Sequence, residues 1–324
     1  MLDLINSTME VSVTIPVYNA AEYVEKAVKS ALNQSEVKEI ILFEDGSTDG
    51  SSEICENLSR TYNRVLIYRH KGGINRGTSA SRNEAIRRAK YRFIAFLDAD
   101  DYYFDNRFVE TNKIFQMNSN IDGVYEVVGA HYYSEKAREK HLQRMKETKK
   151  CYKKTTIPLE DTGVETGITA SDLFAKLVEN RNGWIHTNGL TIKRDSLNSM
   201  KLFYEVDNWT PQNFEDTEYL LRLAYKRHLV STGKIIPVAS RGVHESNRIL
   251  YNYKKRKKYW ESIFMMVYQG GCSPEIFKKI FNHYLDNSSN YLFECENIVL
   301  RKLFKFQIAF FSCFRYPKIL LKLF

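Results

Sequence analysis

The chain has 324 residues, 43% of them hydrophobic and 13% aromatic, which is enough to bury one large α/β core with an appendage and too apolar for a disordered chain. Its formal charge of +9 is uneven: residues 251–324 carry 13 Lys or Arg against 5 Asp or Glu, whereas the first 250 residues carry 35 against 34. A near-neutral body with a basic tail is not the pattern of a generally basic protein, and five scattered cysteines without CxxC spacing predict reduced cytosolic thiols rather than a disulfide frame.

The first thirteen residues, MLDLINSTMEVSV, show no basic segment followed by an apolar one, so no secretory signal is expected. Val11–Val17 (VSVTIPV) has the pattern of a buried strand. Ala21, Val24, Ala27, Val28, Ala31 and Leu32 follow at helical spacing. Glu39–Phe43 (EIILF) predicts a second strand, stopped by the turn-rich Glu44–Gly50. A helix over Ser51–Tyr62 and a short strand at Val65–Tyr68 come next. The loop Gly72–Gly77 then leads into a helix over Ser79–Ala89. Phe93–Leu97 (FIAFL) is the fourth strand, apolar throughout and so expected to be covered on both faces. This alternation predicts a Rossmann-like, mainly parallel sheet with helices on both faces, whose ligands lie beyond the carboxyl ends of the strands.

The middle of the chain is less regular. Gly123–Gly129 predicts a strand, Ser134–Lys154 a charged, solvated helical insert, Ser171–Glu179 a helix and Gly189–Lys193 a strand. Thr217–Tyr225 is an apolar-striped helix just after Phe214–Glu215–Asp216, and Ile235–Ala239 is the last clear strand before Arg241–Arg248.

The polar clusters fall at the strand ends. Asp98, Asp100 and Asp101 close the fourth strand with three carboxylates in four residues, where mutual repulsion favours a hard divalent cation. A helix cap with surplus charge is the other reading, since Asp favours caps. Tyr18, just past the first strand, can lie flat on a base ring or pack as a core aromatic, and Pro16 fixes the backbone before it. Arg82 suits a phosphate, a strand-end carboxylate or a purely structural ion pair. Asp49 reads as a turn or cap residue, and Asn75 and Gly77 as the shapers of a loop.

In order and spacing, four pieces of residues 11–248 resemble inverting family 2 glycosyltransferases: TIPVYNAAEYVEKAVKSALNQ with IILFEDGSTDGS, INRGTSASRNEAI, FIAFLDADD, and FEDTEYLLRLA with VHESNR. The resemblance implies the GT-A fold, with a catalytic domain over residues 1–249 and a helical extension over 250–324. Within the catalytic domain, a nucleotide-binding part would occupy about 10–105 and an acceptor part about 106–249. It implies that the Pro16–Tyr18 loop holds a base and that Asp45 accepts from a uracil ring N–H; Glu44 stands where the family usually has another Asp. By the same match Asp100 ligates Mn²⁺ or Mg²⁺, Asp98 contacts the ribose or a metal-bound water, and His244 supplies a third ligand. An isolated surface histidine is the other reading of His244. Asp216 takes the general base role, with Glu215 as the fallback; two acids complementing a helix dipole explain the location alone. Trp184, His186 and Asn188 are acceptor-side candidates.

In the tail, Arg301, Lys305, Ser312 and Arg315 fall within roughly an 80° arc if Val299–Arg315 is helical. Phenylalanines and aliphatics occupy much of the remaining circumference, and the longest uncharged run falls far short of the ~20 residues that span a bilayer. This segment lies on an anionic membrane surface, or docks on the catalytic domain or a second subunit.

The expected function is metal-dependent, inverting transfer from a nucleotide sugar, most simply a UDP-sugar, to a hydroxyl of a glycan or lipid-linked saccharide in cell-surface polysaccharide assembly. The expected place is cytoplasmic, peripheral at the inner face of the membrane, with oligomers open and nucleic acid not expected as a partner. A non-catalytic nucleotide-sugar-binding or assembly subunit is the alternative. A sugar-1-phosphate nucleotidyltransferase is less apt, because Pro16–Asn19 is not a Gly-rich, Arg-containing loop.

Overall fold

Short apolar runs alternate with helix-forming stretches, and each run becomes a strand of one twisted sheet. The computed structural model describes residues 9–140, 143, 170–179, 185–205, 215–234, 236–243, 253–292, 302, 305–310, 312, 316 and 319. The strands are β1 (Val11–Val17), β2 (Val37–Glu44), β3 (Val65–Arg69), β4 (Phe93–Phe96), β5 (Tyr102–Tyr103), β6 (Gly123–Tyr125), β7 (Val128–Tyr132), β8 (Leu190–Lys193), β9 (Leu229–Ser231) and β10 (Ala239–Val243). The helices are α1 (Val24–Leu32), α2 (Ser51–Thr61), α3 (Thr78–Arg88), α4 (Val109–Met117), α5 (Ala170–Glu179), α6 (Glu215–Lys226), α7 (Tyr253–Gly270) and α8 (Pro274–Leu292).

The main sheet has the order β3-β2-β1-β4-β8-β6-β9, and a small sheet has the order β5-β10-β7. β1 pairs in parallel with β2 and β4, and only β8 runs antiparallel to its neighbours in the main sheet. The fold is thus the mixed α/β, mainly parallel architecture that the sequence predicts. Ser12 and Thr14 are tolerated in the buried centre of β1 because each hydroxyl is satisfied, by Glu39 at 2.7 Å and by the Ala95 carbonyl at 3.3 Å.

The sheet separates two cores. One packs Val11, Val13 and Ile15 against Val24 and Val28 of α1 and Leu58 of α2. The other gathers Ile41, Phe43, Ile94 and Phe96 with Tyr219 of α6 and with Phe264, Phe277 and Phe281 of α7 and α8. The C-terminal helices therefore share a core with the sheet. The Phe264 ring lies 5.1 Å from that of Tyr284 and 5.5 Å from that of Phe281.

Two predicted strands differ. Gly123–Gly129 divides into β6 and β7, which enter different sheets, because Glu126 between them turns inward to accept from Arg107 at 3.0 Å and Thr111 at 2.7 Å. Where Ile235–Ala239 was expected as a strand, Ile236 is exposed and β10 begins only at Ala239, after Pro237, which has no N–H to give a ladder. Of the Ser134–Lys154 insert, Glu135–Lys140 is helical, and most of the remainder lies outside the described residues.

Candidate active site

A cleft of about 570 Å³ opens at the carboxyl ends of β1, β2 and β4. Its walls include Pro16, Tyr18, Tyr23, Asp45, Arg82, Asp98, Asp100 and Glu215, so five stretches far apart in sequence meet at one crevice. A parallel sheet places its ligand sites there, because strand ends and helix starts leave unpaired backbone groups.

The loops on the β1–β2 side are laced by side chain to backbone bonds. Asn19 adopts φ 48°, a left-handed conformation that Asn tolerates, and its carbonyl accepts from Thr48 N–H at 2.9 Å. Ser47 and Ser51 accept from Asn19 N–H at 3.1 Å and Ala20 N–H at 2.8 Å. Asp49 accepts from Ser51 N–H at 3.1 Å and Ala21 N–H at 3.0 Å, which is the structural role read for it. Gly46 requires its missing Cβ: at φ +74° an added carbon would sit 2.6 Å from the Gly73 carbonyl oxygen. The Tyr18 ring is 37% exposed and faces the cleft, so it is not a core aromatic. Asp45 is buried and accepts from Arg76 N–H at 2.8 Å and Gly77 N–H at 2.9 Å. Burial pushes its carboxyl above the ordinary range, against those bonds. Asn75 accepts from Gly77 N–H at 3.0 Å, shaping the loop.

The acid cluster is organised by Arg82, one face of whose guanidinium pairs with Asp98 while its Nη1 lies 3.5 Å from Glu215 Oε1. Burial opposes ionisation of Asp98, but Arg82 outweighs it and holds the carboxyl below its usual range. Glu215, at the first turn of α6, is pushed up to about 7 by burial and then by the charge of Asp216. Among the described residues, Arg82 Nη1 and Glu215 Oε2 are buried without a hydrogen-bond partner. Asp216 is half-buried and accepts from Thr217 N–H at 2.7 Å. The Tyr133 hydroxyl donates to the Asp100 carbonyl at 2.7 Å.

His186 stands beside the same cluster, with ligating atoms of Asp98, Asp101 and His186 within 4.8 Å of one another. Its tautomer argues against metal ligation there. Nδ1 accepts from Asn188 N–H at 3.2 Å, so a neutral ring carries its proton on Nε2 and has no lone pair left for a cation. Burial, reinforced by Arg241, lowers the imidazole to about 4 and keeps it neutral. Asp98 and Asp100 fit a divalent cation better: both are oxygen donors lining the cleft, and hard cations take such ligands. Trp184 and His244 lie outside the described residues.

Asp101 does not cap a helix, because β5 follows it directly. Its carboxylate reaches Gly242 and Asn188, partners 141 and 87 residues distant, and no local spacing announces them. Tyr23 and Tyr133 also went unread, although their rings lie 4.6 Å apart beside the Asp100 wall.

Residues 12–171 match the family model described as glycosyl transferase family 2. The minor teichoic acid biosynthesis protein GgaA of Bacillus subtilis (strain 168) is 35% identical over 132 residues, covering 39% of this chain and 28% of GgaA. The matched stretch spans only 17% to 36% of the first three curated relatives. Residues 1–349 of S. aureus TarS in complex with UDP-GlcNAc superpose with a TM-score of 0.60 at 15% identity, over 87% of this chain and 73% of that one. The mannosyltransferase PcManGT from Pyrobaculum calidifontis, in complex with GDP-Man and Mn²⁺, gives a TM-score of 0.52 at 13% identity, over 98% and 86%. At such identities the structural likeness concerns the fold.

Proposed function

The chain belongs to glycosyl transferase family 2 and has the GT-A fold, and from that premise we propose that it is a metal-dependent, inverting enzyme using a UDP-sugar. The observation that carries this reading is the single cleft that brings Tyr18 and Asp45 together with Asp98, Asp100, Arg82 and Glu215. Tyr18 stacks on the uracil, with Pro16 fixing the strand end beneath it. Asp45 accepts from the ring N–H with a lone pair not used by the Arg76 and Gly77 amides. Asp98, oriented by Arg82, faces the ribose and diphosphate side, and Asp100 with His244 and Asp98 would hold Mn²⁺ or Mg²⁺. Such a cation neutralises charge on a departing diphosphate.

Asp216 removes the proton from an acceptor hydroxyl. The oxygen forms a bond to the anomeric carbon from the face opposite UDP, and the carbon–oxygen bond to the diphosphate breaks with its electron pair. The proton remains on Asp216 and configuration inverts. Glu215 is a second reading for the base, favoured by its place in the cleft wall and its elevation to about 7. His186, with Trp184, belongs to the acceptor side. Asn188 instead is fully buried with its amide bonded to Asp98 N–H and to Asp101, so it serves the acid cluster and not an acceptor.

The acceptor is a hydroxyl of a glycan or lipid-linked saccharide in cell-surface polysaccharide assembly, in keeping with the relationship to GgaA. We place catalysis in residues 1–249 and assign 250–324 to buttressing and to contact with the inner membrane face. Exposed Lys302, Phe306 (71%) and Phe310 (53%) support that contact, and no helix among the described residues is long and apolar enough to cross a bilayer.

UDP or GDP release from a panel of UDP- and GDP-sugars, with and without Mn²⁺ or Mg²⁺, tests this. Metal-stimulated turnover of a UDP-sugar that Asp216→Asn abolishes is expected. Binding without hydrolysis or transfer of any donor would instead mark a nucleotide-sugar-binding subunit.

A further inference from the structure

The third acid of the strand-end run has no part in that chemistry, yet it is the most enclosed of the three. Asp101 is 3% exposed and has no ion pair with Lys or Arg among the described residues. Burial, with Asp100 and Asp98 beside it, pushes its carboxyl well above the ordinary range. Both of its oxygens are engaged. Oδ1 accepts from Gly242 N–H at 2.6 Å, and Oδ2 accepts from the side-chain amide of Asn188. Asn188 is fully buried and uses its carbonyl oxygen to accept from Asp98 N–H at 3.2 Å. Asp101 N–H closes the turn on the Asp98 carbonyl at 3.1 Å.

These bonds join three elements: the turn after β4, the short turn before β8, and β10, which ends one residue before His244. Asp100 lies between the two tied residues. A cation reaching Asp101 would displace two buried donors and leave them unsatisfied, at a cost of about 1–3 kcal/mol each.

We propose that Asp101 and Asn188 form a positioning pair that fixes the Asp98–Asp100 segment and β10 relative to each other for cation binding, without either side chain ligating the cation. The inference rests on the metal-dependent reading of the site.

The pattern needs one carboxylate and one amide, in either order. Asp101→Asn sets a donor against a donor: its NH₂ meets either the Asn188 amide or the Gly242 N–H. Asn188→Asp sets two carboxylates against each other. The double exchange Asp101→Asn with Asn188→Asp restores every bond. The new amide accepts from Gly242 N–H and donates to the new carboxylate, whose second oxygen accepts from Asp98 N–H.

The test uses the full chain, with Mn²⁺ binding followed by electron paramagnetic resonance in the presence of UDP, and metal-free UDP binding by calorimetry. Each single variant is expected to lose about tenfold or more in Mn²⁺ affinity, the usual effect of disturbing groups behind metal ligands. Metal-free UDP affinity stays within about twofold, and the double exchange returns Mn²⁺ affinity to within about threefold of wild type, well inside the single-variant loss. Should a charged or clashing single variant fold poorly, Asn188→Ala, which deletes the bridge without adding charge, replaces it. Folded single variants that hold Mn²⁺ as tightly as wild type overturn the inference, as does a double exchange no better than either single. Those results leave the metal-dependent reading standing. A wild-type chain that binds UDP but no Mn²⁺ overturns both.

Discussion

The β1–β2 side of the cleft and the side carrying Glu215 and Asp216 are held together by different kinds of contact. On the first side, loops from adjacent parallel strands lace directly to one another. Asn19, Ser47, Asp49 and Ser51 exchange bonds across two neighbouring turns, and Asp45 ties down the Arg76–Gly77 loop. On the second side, the first turn of α6 is fixed from behind. Glu218 accepts from Arg222 at 2.6 and 2.9 Å and from Ser262 of α7 at 2.9 Å. Arg222 also donates to the Leu202 carbonyl at 2.7 Å, and Asn83 grips Phe203 through both its N–H and its carbonyl. A site half built from adjacent strand ends can be written in short motifs. A half built from helix packing also depends on partners outside those motifs, the Leu202 and Phe203 backbone and Ser262 of the C-terminal helices.

If the two halves divide the work, damage to one should leave the other's readout intact. The largest effect is expected at Asp216. Asp216→Asn should lower turnover by roughly 100- to 10,000-fold, the usual contribution of a general base, with UDP affinity by calorimetry unchanged. A parallel loss of UDP affinity would break the division. The pH profile sharpens the assignment within the pair. Glu215, pushed up to about 7, is protonated below that pH and gains its charge only as pH rises through it. If Glu215 were the base, the rate would climb up to tenfold per unit below about pH 7 and level off above it, and Glu215→Gln would lose that limb. With Asp216 as base, Glu215→Gln should keep a pH-dependent rate. The next effect is on stability: Glu218→Gln breaks a buried ion pair with Arg222 and should cost about 3–5 kcal/mol by denaturant melting.

The same division explains what was legible in the sequence. β1, β2 and β4 announce themselves as apolar runs because both faces are covered, and the turn residues that stop them mark the cleft. Tyr18, Asp45, Arg82, Asp98, Asp100 and Glu215 could be gathered from ordered motifs, and they do line one crevice. Asp101 could not be read correctly. A third acid after a strand looks like a cap, and its partners Asn188 and Gly242 lie on other elements. The division of Gly123–Gly129 was equally hidden, since the turn exists for a Glu126–Arg107 pair buried between helix and sheet. The basic tail read as an appendage because charge is counted along the chain. Its apolar positions, Ile263, Phe264 and Val267, instead complete the core beneath α6.

On the β1–β2 side, Tyr18→Ala should weaken UDP binding by about tenfold, since base–aromatic stacking contributes about 1–3 kcal/mol, whereas Tyr18→Phe should bind near wild type. Turnover at saturating donor should fall far less than binding. A fall in turnover with unchanged affinity would assign Tyr18 to the transfer step instead.

The smallest effect is the most direct probe of the second half. Ser262→Ala removes one bond to Glu218 and leaves the two from Arg222, so the buried carboxylate keeps a charged partner. The loss should therefore sit near 1 kcal/mol, below the cost of an unpaired buried charge. For a chain of this size that is a melting shift of about 2 °C. Because Ser262 lies on α7 while Glu218 stands one turn behind Glu215, loosening the bond should also let the first turn of α6 drift. Turnover should drop by severalfold, while metal-free UDP affinity, set by the loops of the β1–β2 side, should not move. A variant that lost UDP affinity and kept its turnover would show that the C-terminal helices act on the nucleotide loops, and the two halves would then be one mechanical unit.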